Sequence, residues 1–254
     1  MSDFNRGFGQ SFPRDRGTSA AAPVDAGLRQ FMLGVYNKMG LGLLLSAVLA
    51  LVTSSQAVAP IFFQQVMTPR GMAVGLTLPG LILAFSPLVV ILGSNFMMRN
   101  MSARSSGLLY WAVVALIGAS LGLVFLLYTP ASAAATFFAT AAAFGGLSLI
   151  GYTTKRDLTG FGAFLIMGVW GLVAASIVNM FIGGAPLAYA ISAIGVFIFA
   201  GLVAFETQML KRTYYMVRGD GESMAVATNM GALNLYISFV NLFRFLLMFM
   251  GARR

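Results

Sequence analysis

The 254-residue chain contains no cysteine and no histidine. Their absence removes disulfides, Cys/His zinc and haem sites, cysteine or serine–histidine nucleophile systems and histidine proton relays. Charge is scarce as well: Asp, Glu, Lys and Arg make up 9% of the residues, against about 25% in ordinary soluble domains. A retinal-type Schiff base needs a lysine in mid-membrane, and Lys38, Lys155 and Lys211 all fall near expected helix ends. An intramembrane aspartyl protease needs two membrane-embedded aspartates. Beyond position 30 there are only Asp157 and Asp220, both in expected loops. Hydrolytic chemistry is therefore poorly supplied; the expectation is a protein that is not an enzyme, with no cofactor and no dedicated metal site.

Apolar surface is what the chain has in excess. Hydrophobic residues are 59% of the sequence, more than a soluble domain of this length keeps from water, whereas lipid imposes no such demand. The formal net charge of +9 would suggest a nucleic-acid partner in a soluble protein. Here the basic residues sit in short links between apolar segments, so topology accounts for them, and no nucleic-acid partner is expected.

Residues 1–30 are rich in Gly, Ser, Pro, Arg and Asp without an apolar run, and read as a disordered cytoplasmic tail. Residues 31–254 read as an all-α, polytopic membrane helix bundle. Seven segments approach the ~20 residues that a ~30 Å hydrocarbon core requires: 31–53, 79–98, 107–128, 131–151, 160–182, 187–209 and 229–250. The links at 129–130 and 183–186 are so short that spans three and four, and five and six, are expected to be antiparallel neighbours. Arg6, Arg14, Arg16, Arg29, Lys38, Arg99, Arg104, Lys155, Arg156, Lys211, Arg212 and Arg218 collect on one side, against Arg70, Arg253 and Arg254 on the other. The excess places the N-terminus in the cytoplasm. Seven crossings then put the C-terminus outside, unless the last segment re-enters. Gly118 and Gly122 form a G-x-x-x-G step, which serves either a dimer face or, more ordinarily, close packing within the bundle.

Polar residues inside apolar segments carry the functional information, because each costs energy to insert. Glu206 is the one acidic side chain well inside an expected span, followed by Thr207 and Gln208. It either faces a cavity, where a shielded carboxyl suits a proton sensor, or sits solvated at a helix end. Gly231, Asn234, Ser238 and Asn241 recur at steps of three, four and three, on one face of the last helix. That stripe is expected to look inward, either as interhelical hydrogen-bonding glue or as the wall of a polar pathway. Ser176 and Asn179, at i and i+3 on the fifth span, are candidates for the same interior network, as is Gln208. Arg244 falls off the stripe, toward the outer half, where it can snorkel. Arg99 is either a latch on Glu206 or an anchor at the positive side.

Several stretches resemble the Bax inhibitor-1 family. Phe205-Glu206-Thr207-Gln208 looks like its Tyr/Phe-Asp/Glu-Thr-Gln motif, and Ala232-Leu233-Asn234-Leu235-Tyr236-Ile237-Ser238-Phe239-Val240-Asn241-Leu242-Phe243 like its final-helix signature. Val35-Tyr36-Asn37-Lys38-Met39, Lys155-Arg156-Asp157-Leu158 and Asn179-Met180-Phe181 also match. The likeness covers 31–251 and is greatest to the bacterial, YccA-like branch. It implies six helices around a central seventh, in a bacterial cytoplasmic (inner) membrane. For members with a Ca²⁺ leak, it implies a pH-gating pair of acids on helices six and seven. The first acid corresponds to Glu206; the second position is Ser238 here. One carboxylate and one hydroxyl make no like-charge pair, and offer Ca²⁺ far fewer than its six to eight oxygens.

The leading expectation is therefore a passive, pH-sensitive cation pathway with Ca²⁺ as permeant ion. Glu206 supplies its charge and a weak contact to Ca²⁺, with Asn234, Ser238 and Asn241 as its wall. The alternative, suggested by the YccA-like branch, is an interaction protein that regulates a membrane-bound protease through its tail and loops. The lipid bilayer is the expected partner in either case; the oligomeric state is not legible.

Overall fold

A computed structural model describes residues 21–68, 71–97, 101–182 and 184–252. It contains α1 (Ala21–Ser54), α2 (Ala59–Phe62), β1 (Phe63–Thr68), β2 (Gly71–Leu76) and α3 (Leu78–Met97). There follow α4 (Ala103–Ser120), α5 (Gly122–Leu127), α6 (Pro130–Thr153), α7 (Thr159–Ile182), α8 (Ala185–Val217) and α9 (Gly221–Met250). Among the described residues six helices are long and apolar enough to cross a membrane: Ala26–Ser54, Ala103–Leu127, Pro130–Thr153, Thr159–Phe181, Ala185–Val217 and Gly221–Met250. The segment expected at 79–98 is α3, which contains Pro87 and whose apolar stretch Leu78–Pro87 is shorter than a span. The chain is a polytopic, almost wholly helical membrane protein.

Local chemistry sets the helix boundaries. Ser102 and Ser105 form a reciprocal capping box on α4, satisfying amide donors that the first turn leaves free. Thr129 caps α6 ahead of Pro130, and Asp220 caps α9 by accepting from the amides of Glu222 and Ser223. Between α8 and α9 the chain turns at Gly219, whose φ of +106° suits a residue without Cβ.

Two features depart from the sequence reading. Residues 21–30, expected within the tail, are the first turns of α1, with Leu28 buried in the main core, and the rest of the expected tail lies outside the described residues. The link after the first span folds into an antiparallel hairpin, Phe63 paired with Leu76 and Thr68 with Gly71. Neither strand, Phe-Gln-Gln-Val-Met-Thr or Gly-Met-Ala-Val-Gly-Leu, alternates apolar with polar residues, so the sequence carries no strand signal there.

α9 is the most enclosed helix, packed by α8, α1, α4 and α6. The expected ring of six narrows to these four, since α3 lies against α4, and α7 against α8. α7 and α8 are the antiparallel neighbours that their short link required. The equally short link at Thr129 does not lay α6 along the third span. Instead α6 packs on α8 and α9, where Phe144 and Phe137 stack edge-on against Phe239 at 5.4 and 5.5 Å. Gly118 and Gly122 face α1: a Cβ at Gly118 would lie 2.6 Å from Ser46 Cα, and one at Gly122 would strike Thr53. The G-x-x-x-G step is thus internal packing.

Candidate functional site

Glu206 lies on α8 at the α9 face, half-buried, with Ser238 of α9 beside its carboxyl group. Its Oε2 is buried and has no hydrogen-bond partner among the described residues. The residue lines a cavity of about 400 Å³ between α8 and α9, together with Asn234, Thr213 and the apolar Phe205, Met209 and Met230. The two positions that the family motifs single out, Glu206 and Ser238, therefore meet.

The rest of the expected stripe divides. Ser238 and Gly231 are buried toward α8, where a Cβ at Gly231 would strike Leu210. Asn234 is exposed, and Asn241 is half-buried with its amide donating to Ile237 O at 3.0 Å. Met230, Asn234, Ile237, Asn241 and Arg244 all lie on the one face of α9 that no helix fully covers. The expectation of a wholly inward stripe is corrected accordingly. Periodicity fixes which residues share a face, while the neighbouring helices decide what covers it. A cation entering from that flank would meet amide and carboxylate oxygens in turn. Among the described residues no three acidic side chains converge, so any cation here keeps most of its water.

The remaining candidates lie apart from Glu206. Ser176 is exposed on α7, and Asn179 is half-buried with its Oδ1 unpartnered among the described residues; α7 packs on α8 rather than α9. Arg99, and with it the Arg99–Glu206 latch, lies outside the described residues. Gln208 turns to the α6–α7 link, accepting from Leu158 N at 2.9 Å and donating to Arg156 O at 2.7 Å. Beside it Arg212 bridges to Asp157 at 2.7 Å. Hydrogen bonds from the Thr159 hydroxyl and amide, then Arg212, hold the Asp157 carboxyl well below the usual carboxylate range.

A second polar node escaped the sequence reading. Lys38 is an interior residue of α1 because that helix begins early. Its ammonium donates to Asn229 Oδ1 and stands 5.2 Å from the Tyr110 ring centre. Asn229 in turn donates to Ala103 O at 3.0 Å and Ser106 Oγ at 2.8 Å, while Glu222 accepts from Ala103 N at 2.6 Å. Deeper in the bundle the Tyr236 hydroxyl meets Ser46 Oγ at 2.7 Å. These bonds lock α9 to α1 and α4 on the side opposite Glu206. Asn229 gave one usable signal: an amide inside an apolar helix, off the stripe.

Residues 28–254 match the family described as inhibitor of apoptosis-promoting Bax1. A Caulobacter vibrioides protein is 57% identical, with the alignment covering 100% of both chains. A Rickettsia prowazekii protein is 41% identical over 93% of this chain and 95% of its own. The inner membrane protein YbhL of Escherichia coli K12 is 42% identical over 96% of this chain and 99% of its own.

Proposed function

Because the chain belongs to the Bax inhibitor-1 family, we propose that it is a passive, pH-sensitive cation leak pathway of a bacterial inner membrane, permeable to Ca²⁺. The observation that supports this reading is the free, buried Oε2 of Glu206 at the wall of the α8–α9 cavity. A carboxylate oxygen left unpaired in a membrane-spanning helix is costly unless it faces water or a passing cation. Ser238 supplies a hydroxyl where family members with two acids have a carboxylate, so protonation of a single group sets the charge. No shared proton is available to latch the two helices. Asn234 stands at the mouth and Asn241 further along α9, offering amide oxygens to a partly hydrated ion.

The test is Ca²⁺ uptake into vesicles holding a trapped indicator dye, reconstituted with wild type or Glu206→Gln. A unit charge a few ångströms from an ion is worth about 4 kcal/mol in an intermediate dielectric, so its removal should slow uptake by about ten-fold or more. The pH dependence should disappear with it. Equal uptake by both proteins from about pH 5 to about pH 8, a range above the ordinary glutamate value of ~4.3, would overturn the proposal.

A further inference from the structure

We propose that the groove between α1 and α6 binds an anionic phospholipid of the surrounding leaflet, its acyl chain against the two helices and its phosphate at Arg29. This site lies away from Glu206 and stands independently of the leak reading. α1 and α6 both pack on α9 and α8 and are held apart by them. The gap is a groove of about 890 Å³ with Phe239 of α9 among its lining residues, within the size range of small-molecule sites.

The polar groups of the lining gather toward one end, with Met32, Leu33 and Leu149 among them. Arg29 and Tyr36 come from the early turns of α1, and Ser148 and Tyr152 from the last turns of α6, which runs antiparallel to it. These polar groups therefore share one end. Met39 and Leu43 of α1, with Phe137 and Phe144 of α6, make the other end apolar. From Arg29 to Leu43 is 14 residues, about 21 Å at 1.5 Å per residue. That is close to the depth of one leaflet, about 15 Å of hydrocarbon plus its headgroup layer. The groove thus has the polarity and the length of a single phospholipid.

Two observations mark the polar end as a ligand site rather than a crevice filled by any lipid. Ser148 is only 6% exposed, and its Oγ has no hydrogen-bond partner among the described residues, although it lines the groove. A buried hydroxyl without a partner is uncommon, and a headgroup oxygen would satisfy it. Arg29 is exposed and forms no ion pair among the described residues, where the bridge is Arg212–Asp157. A free guanidinium at the membrane surface matches phosphate in charge and geometry. A second cation stands close by: Lys211 donates to Tyr152 O and lies 4.9 Å from the Tyr152 ring centre. This positive end selects an anionic headgroup over a zwitterionic one.

The experiment uses the full chain in detergent with added phosphatidylglycerol or phosphatidylcholine of identical acyl chains, and counts retained lipid by native mass spectrometry. Wild type should retain phosphatidylglycerol preferentially. Arg29→Gln, at an exposed position, should cut that preference about five-fold, the effect of one basic residue at a membrane surface, while leaving phosphatidylcholine retention unchanged. Gly145→Leu fills the groove where a Cβ meets nothing within 4 Å, so it should lower retention of both lipids without shifting the thermal transition. Equal retention of the two lipids by wild type would overturn the proposal. So would unaltered selectivity in Arg29→Gln, or wild-type retention in Gly145→Leu.

Discussion

Gln208 stands two residues after Glu206 and does a separate job, because a 200° turn of the helix points it elsewhere. Its amide joins Leu158 N and Arg156 O, backbone groups some fifty positions earlier in the chain. Replacing it by alanine leaves two partly buried backbone groups unpaired, a cost of about 1–3 kcal/mol. Gln208→Ala should therefore raise the hydrogen-exchange rate of the Leu158 amide by about ten-fold or more; unchanged exchange would show that the link holds itself. Asp157 sets the acid limit of the same link. Its carboxyl titrates below the ordinary carboxylate range, so its contribution is present above ~3.9 and is lost only as pH falls through the lower folded value. Exchange at Leu158 should thus stay slow through mild acid. The sequence marked Glu206 and Gln208 alike as polar residues in an apolar helix. It could not tell them apart, because the bonds that separate their roles reach residues on other helices.

At the scale of elements the sequence was legible wherever a local rule acts alone. Six apolar stretches became spanning helices, and Thr129, Ser102 and Asp220 cap where their side chains permit. The rule failed where neighbours decide. The α9 stripe was read as inward, yet Asn234 is exposed while Ser238 is buried. The two stand four positions apart, only about 40° round the helix, and that is enough to pass from the α8 contact to the uncovered flank. Short links also misled: both imply neighbours, but only α7 and α8 pack along their length. Glycines show the same dependence on partners. A Cβ on Gly118 would press on the Ser46 backbone, whereas one on Gly171 meets nothing within 4 Å. Gly118→Ala should therefore separate α1 from α4 at a cost of about 1–3 kcal/mol. Gly171→Ala should be neutral or gain up to about 1 kcal/mol from helix propensity. Thermal unfolding in detergent distinguishes them, and equal transitions would refute the close α1–α4 contact.

For the whole molecule, the two ends of the described chain lie at opposite ends of the bundle. A Cβ on Gly27, early in α1, would strike Tyr214 near the end of α8, and α9 starts just beyond. Ala252, after α9, accepts from Thr129 N at 3.2 Å and donates to Ser132 Oγ at 2.9 Å, at the start of α6. The 30 residues of α9 separate those levels by about 45 Å, more than a ~30 Å hydrocarbon core. α9 is thus a helix of crossing length rather than a re-entrant loop. Arg29, Arg104, Lys155, Arg156, Lys211, Arg212 and Arg218 all belong to the end where α1 begins. The basic bias predicts that this end faces the cytoplasm. Ser54 lies near the far end, beside Gly122, and Ser102 at the near one, beside Glu222, so the hairpin and α3 fall between those two levels. A phosphatase reporter, active only outside, should be silent when fused before Ala21 and active when fused after Ala252. Activity at both fusions, or at neither, would mean that the two ends share a side and that α3 returns without crossing.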